Sequence, residues 1–341
     1  MPRPPHITRW DLDKTYLRTE FDTMRDLVRT AFERADEKRT NPGAATLLRE
    51  LAQSQVSIHI LSGSPEQMRK RLEEKLKLDG IKWDSFTLKP NLQNMLRLRF
   101  RALRDQLGYK LPSLLATRTG AGEEVVGVRE SLFGDDAEAD AFVYSLYGDI
   151  MAGRVGEELL TQVCEKGRVY DDVIEGIIRG VRLVKPEPVV ERIFIHLERQ
   201  SAPRDYAVFG TRAVPFYNSL QTAFVLHEDG RLPAESLLRV AGEMVTQHRF
   251  DGDALAKSYA DVGKRGHLAG AKIDAIEEAL PKYRKDAPAP AAVEVERMVK
   301  QLPEYADLSK SRFKPPEEQP MPDYLELVQR HNPRHKKKKK D

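Results

Sequence analysis

The 341-residue chain carries 56 basic and 53 acidic side chains, but Arg334 and Lys336–Lys340 supply six of the former and Asp341 one of the latter. Without residues 334–341 the balance is 50 against 52, which excludes a nucleic-acid-binding protein with basic charge spread over its body. The single cysteine, Cys164, excludes an internal disulfide and a cysteine-based zinc site, and no apolar run approaches the ~20 residues that span a bilayer.

The hydrophobic fraction of 40% is enough to build a core, and the length suits one large or two modest domains. Met1–Asp13 lacks the apolar core of a secretory signal, so a reducing, cytoplasmic setting is expected.

In chain order, His6–Trp10 reads as a short strand that ends in Asp11-Leu12-Asp13-Lys14-Thr15. Phe21–Lys38 has helical spacing, and Asn41-Pro42-Gly43 breaks it. A helix over Ala44–Gln53 leads into the strand Val56–Ser64, and Pro65 opens the helix that runs to Leu78. Ser85–Lys89 is a short strand, and Gln93–Leu107 is an amphipathic helix whose Arg97, Arg99, Arg101 and Arg104 form a solvated face. Gly108 closes that helix, and Lys110 opens the next, over Leu111–Thr117. Gly120-Ala121-Gly122 is a turn, and Val125–Phe133 is a strand running into Gly134-Asp135-Asp136.

Beyond Asp140 the chain reads as helical to Val184, with Cys164 as a buried structural thiol, and Val189–Leu197 is a further strand. Val208–Leu226 shows no clear period, and Leu232–Leu280 is helical. His196, His227, His248 and His267 lack metal-ligand spacing and suit core or surface roles. Residues 286–341, rich in Pro, Ala and Glu and ending in lysines, read as extended or partly disordered, with short docking helices at Val293–Leu302 and Tyr324–His331.

The chemistry gathers at strand ends. Asp11 and Asp13 are two carboxylates one residue apart, and such a pair suits a nucleophile and a proton-transfer partner, although a polar turn gives the same pattern. Three further stretches follow in order: Ile60-Leu61-Ser62-Gly63-Ser64-Pro65, Tyr109-Lys110-Leu111-Pro112, and Gly134-Asp135-Asp136 with Asp140 beyond. Together the four resemble the motifs of the haloacid dehalogenase (HAD) superfamily. Residues 6–150 resemble in particular the phosphatidate phosphatase catalytic domain of the yeast actin-patch-associated type. Two positions depart from that pattern: Lys14 replaces a third aspartate, and Asp136-Ala137-Glu138 replaces Ser-Gly-Gln.

The resemblance implies an α/β fold, a HAD-like doubly wound parallel sheet flanked by helices, with a helical C-terminal extension. The division expected is a catalytic domain over 1–210, with a helical insertion at 141–185 and a strand at 189–197. A mainly helical extension over 211–285 and the tail over 286–341 follow. Asp11 is then the nucleophile, Asp13 the acid and base, Ser62 a hydrogen-bond donor to a phosphoryl oxygen, and Lys110 the ammonium that neutralises it.

Lys89 rivals Lys110 for that role, and Thr15 serves the turn. Mg2+ is the implied cofactor, held by Asp11, the Asp13 carbonyl and Asp135. Asp136 is the alternative ligand, and Asp140 orients Lys110 or reaches the metal through water. The implied reaction is hydrolysis of a phosphomonoester, a lipid one included. A soluble phosphometabolite, a nucleic-acid end or a catalytically silent scaffold are the competing readings. Lys336–Lys340 offers a peripheral contact to an anionic membrane, and no specific nucleic-acid-binding motif is present.

Overall fold

A computed structural model describes residues 6–18, 38–89, 103–120, 122–316 and 320–330. The expected helix over Phe21–Lys38, except Lys38 itself, the part of Gln93–Leu107 before residue 103, with Arg97, Arg99 and Arg101, and the Lys336–Lys340 run lie outside the described residues.

The frame is a six-stranded parallel sheet in the order β3-β2-β1-β4-β5-β6. The strands are β1 His6–Trp10, β2 Val56–Pro65, β3 Ser85–Lys89, β4 Arg129–Asp135, β5 Val190–His196 and β6 Ala213–Phe216. The chain builds outward from β1 to β3, returns beside β1 with β4, and builds outward the other way. The order therefore reverses between β1 and β4, and in open α/β sheets the crevice beyond the strand C-termini at such a point is the usual ligand site. Residues Asp11 and Asp135 end the two strands that meet there. Doubly wound topology is thus as expected, but the sheet runs past residue 210, because β6 is its edge strand.

Alternation along the strands feeds a core on each face. One core joins Trp10, Phe133, Phe194 and Phe216 to α1 (Ala44–Gln53), α2 (Arg69–Leu78), α7 (Ser219–Glu228), α8 (Ala234–His248), α9 (Gly252–Lys264), α10 (Ile273–Asp286) and α11 (Ala289–Lys310). Trp10 stacks on Phe133 at 3.7 Å and Phe133 on Phe194 at 4.6 Å, a ladder across the three central strands. The other core joins Leu132, Ile193 and Ile195 to α3 (Leu103–Gly120), α4 (Asp140–Met151), α5 (Glu157–Lys166), α6 (Asp171–Arg182) and α12 (Tyr324–Arg330). Cys164 is buried there, and burial pushes its thiol up to about 12, so it is inert as expected. Among the described residues no helix is long and apolar enough to cross a membrane.

Three elements differ from the sequence reading. Gly108 does not close a helix: α3 runs unbroken through Gly108 and Pro112, so Lys110 lies inside it and not at its start. Residues 103, 107, 111 and 114, with Gln106 and Lys110, share its buried face, and that packing overrides two helix breakers.

The segment after Asp286 is not extended. Residues Ala289–Lys310 form one 22-residue helix that buries Val295, Met298, Val299, Leu302 and Ala306. Pro303 inside it costs about 3 kcal/mol, but each large apolar side chain buried returns about 1.5–3 kcal/mol, so burial wins. The unplaced stretch Val208–Leu226 resolves into β6 and the first part of α7, which Asn218 caps by accepting from the amides of Leu220 and Gln221.

Candidate active site

Asp11 follows β1 directly, and its amide donates to the Phe133 carbonyl at 2.9 Å, extending the β1–β4 ladder by one rung. The chain then turns sharply at Lys14, whose φ of 64° lies in the left-handed region. Asn41 Nδ2 donates to the carbonyls of Lys14 and Thr15, each at 2.9 Å, and His196 Nδ1 lies 2.7 Å from the Lys14 carbonyl. These bonds hold the turn. The Thr15 hydroxyl does not, since it is buried with no hydrogen-bond partner among the described residues.

The turn brings Asp13 back over β2. Ser64 Oγ donates to Asp13 Oδ2 at 2.5 Å and Ser62 Oγ at 3.2 Å. Burial raises the Asp13 pKa, and the hydrogen bond from Ser64 only partly offsets that. Ser62 is further fixed from behind, because Tyr109 Oη donates to its carbonyl at 2.8 Å.

Lys110 is fully buried and faces three carboxylates: Asp140 Oδ1 at 2.5 Å, Glu138 Oε2 at 2.9 Å and Asp11 Oδ2 at 3.5 Å. Burial alone pulls its pKa down, but Asp11, Asp140 and Glu138 more than reverse that, and it lies well above the usual lysine value. Asp140 Oδ2 also accepts from the Asp135 amide at 3.1 Å, which ties the start of α4 to the end of β4. Gly134 permits this approach, because a methyl group there would overlap the Asp140 carboxylate.

Asp135 Oδ1 accepts from the amides of Ala137 and Glu138, while its Oδ2 and both oxygens of Asp11 are buried with no hydrogen bond among the described residues. Burial raises both carboxylates well above their ordinary value, and for Asp11 the nearby Lys110 lowers it only in part.

The structure thus brings Asp11, Lys110, Asp135 and Asp140 to one point, with Asp13 and Ser62 beside them. Two expected alternatives lie elsewhere. Lys89 Nζ lies 6.0 Å from the centre of the Tyr109 ring, and Asp136 accepts from the amides of Arg199 and Ser201, holding the loop after β5.

Sequence reasoning missed Ser64, Asn41, His196, Gln106 and Glu138. Ser64 and Glu138 lay inside the quoted motifs, two residues past Ser62 and three past Asp135. Asn41 and His196 are distant in sequence and carried no local signal.

Asp11, Asp135, Glu138 and Asp140 each offer an oxygen within 4.8 Å of the others. A buried carboxylate oxygen with no donor is costly. Lys110 supplies one positive charge against four carboxylates, so a hard divalent cation suits this oxygen-only set. No family model, curated protein or solved structure matches the chain.

Proposed function

We propose that the protein is a magnesium-dependent phosphomonoester hydrolase of the HAD type. The observation that carries this reading is the meeting of Asp11 with Lys110 at the C-terminal edge of the sheet, beside a second carboxylate, Asp13, held by two serines.

Asp11 attacks phosphorus and forms an aspartyl phosphate while the P–O bond to the alcohol breaks. Asp13 gives its proton to the departing alkoxide, and burial, which raises its pKa, favours the protonated form. It then takes a proton from the water that cleaves the aspartyl phosphate and regenerates Asp11. Ser62 donates to a phosphoryl oxygen, and Lys110 balances the charge of the phosphoryl group and of Asp11. Asp140 and Glu138 keep that ammonium ionised and in place.

Asp11, Asp135 and the Asp13 carbonyl are the groups that would hold Mg2+, which when bound neutralises charge on the phosphoryl oxygens. The partly open position of Asp13 and the departures at Lys14 and Asp136–Glu138 leave both lipid and soluble phosphomonoesters as substrates to be tried. Lys336–Lys340 remains a proposed contact to anionic lipid.

The test is a panel of phosphomonoesters assayed for phosphate release with Mg2+ and with chelator. Turnover should need Mg2+ and vanish in Asp11→Asn. Equal turnover by a correctly folded Asp11→Asn protein would refute the assignment.

A further inference from the structure

The four carboxylates around Lys110 are not equally engaged. Asp140 uses both oxygens inside the protein, one on Lys110 and one on the Asp135 amide. Among the described residues, Asp11 has two oxygens that accept no hydrogen bond, and Asp135 has one. Glu138 is divided: Oε2 accepts from Lys110 at 2.9 Å and from Gln106 Nε2 at 2.6 Å, while no partner is found for Oε1 among the described residues.

Asp11, Asp135 and Glu138 therefore each keep an oxygen that accepts no hydrogen bond among the described residues, while each oxygen of Asp140 accepts one. We propose that Glu138 is a direct ligand of the divalent cation through Oε1, and that Asp140 is a positioning residue for Lys110 and β4. This rests on the reading of the site as metal-dependent.

Two features show how the chain builds Glu138 into the site. The Asp135 carboxylate accepts from the Glu138 amide at 3.0 Å, so the loop folds back and returns the Glu138 side chain toward the strand end. The double anchorage of Oε2 by residues of α3 then fixes the carboxylate plane, so that Oε1 needs little further ordering on binding. Glu138 is also the one of the four whose side chain reaches solvent appreciably, at 16%, against 1% or less for Asp11 and Asp140.

The experiment is isothermal titration of the apo-protein with Mn2+ and with Mg2+, in the absence of any substrate. Glu138→Gln keeps an acceptor for Lys110 and Gln106 and removes one charge. Glu138→Asp keeps the charge but shortens the reach by one methylene. Direct ligation predicts that both bind Mn2+ about tenfold or more weakly than the wild type, with unchanged circular dichroism. Wild-type affinity in Glu138→Gln would overturn the proposal. Wild-type affinity in Glu138→Asp would overturn it too, because it would reduce Glu138 to a distant charge. If the wild-type protein binds neither cation, the metal-dependent reading itself falls, and that outcome is distinct from either variant result.

Discussion

Lowering the pH from 7.5 to 5 in excess Mg2+ should destabilise the protein, and two buried histidines outside the acidic cluster should contribute much of the loss. His6, at the start of β1, and His267, after α9, are each pushed down from 6.5 to about 3, first by burial and then by nearby arginines: Arg231 for His6, Arg265 and Arg192 for His267. Each has a ring nitrogen, Nδ1, with no hydrogen-bond partner. A depressed folded pKa means that the unfolded chain takes protons first. The stability each contributes is present above 6.5 and lost as pH falls toward 3. At pH 5 the loss is about 2 kcal/mol per histidine, or about 4 together.

Asp140 works the other way. Burial raises it from 3.8 to about 6 despite Lys110, so its contribution is complete below 3.8 and lost as pH rises through 6. Between 7.5 and 5 it returns at most about 1.4 kcal/mol, the full amount only with no cation beside it. Among these three groups the histidines win, by about 2.5 kcal/mol or more. A bound cation keeps Asp11 and Asp135 ionised. In chelator the raised pKa values of those two carboxylates also favour the folded state on acidification, and the loss should shrink. Urea unfolding followed by tryptophan fluorescence at both pH values reads these differences. His6→Gln and His267→Gln should each remove about half of the histidine contribution. Variants that lose as much stability as the wild type over the same interval would refute the reasoning.

Asp13→Asn should slow turnover by about 10²–10⁴-fold, and most for substrates with poor leaving groups, since only those need the proton at departure. Equal losses for nitrophenyl and alkyl phosphates would remove Asp13 from the acid role. Gly134→Ala should lower both activity and thermal stability, because the added methyl overlaps the Asp140 carboxylate and must push it off Lys110 or off the Asp135 amide. A crystal structure of that variant with Asp140 unmoved would contradict this.

The strands that carry the site were legible because each is a short apolar run bounded by turn residues, and because the chemistry sits at their ends. The sheet order itself was not readable from spacing, and neither was β6, whose four residues include Pro215. The buried face of α3 shows why local rules failed there. Gly108 and Pro112 both signal an end, but Leu107, Leu111 and Leu114 bury on one side and hold the helix together. In α11 the spacing of Val295, Met298 and Leu302 marked a short helix over Val293–Leu302, but the alanines and prolines around it were weighed as tail residues, so its full length over Ala289–Lys310 was not read. Site residues adjacent in sequence to a motif were within reach. Those that act by holding a backbone carbonyl, such as Asn41 and His196, were not, since any polar side chain could fill that role.

The placement of Asp140 depends on more than its own loop. All twelve residues of α4 are buried, so the helix cannot shift without disturbing both the sheet and its neighbours. Its far end is fixed by Asp149, which accepts from Arg212 at 2.6 Å, from Tyr324 Oη at 2.5 Å and from Arg154. A buried carboxylate with two arginine partners is stable only while they stay in place, and removing one partner of such a pair costs about 3–5 kcal/mol. Arg212 comes from the start of β6 and Tyr324 from α12, both beyond the four motifs. Tyr324 also packs edge-on against Phe142, at 5.5 Å between ring centres. The helix that presents Asp140 to Lys110 is therefore pinned at one end by the site and at the other by the C-terminal part of the chain. The acidic pit and the distal helices form one cooperative structure, because the same buried helix ends in both.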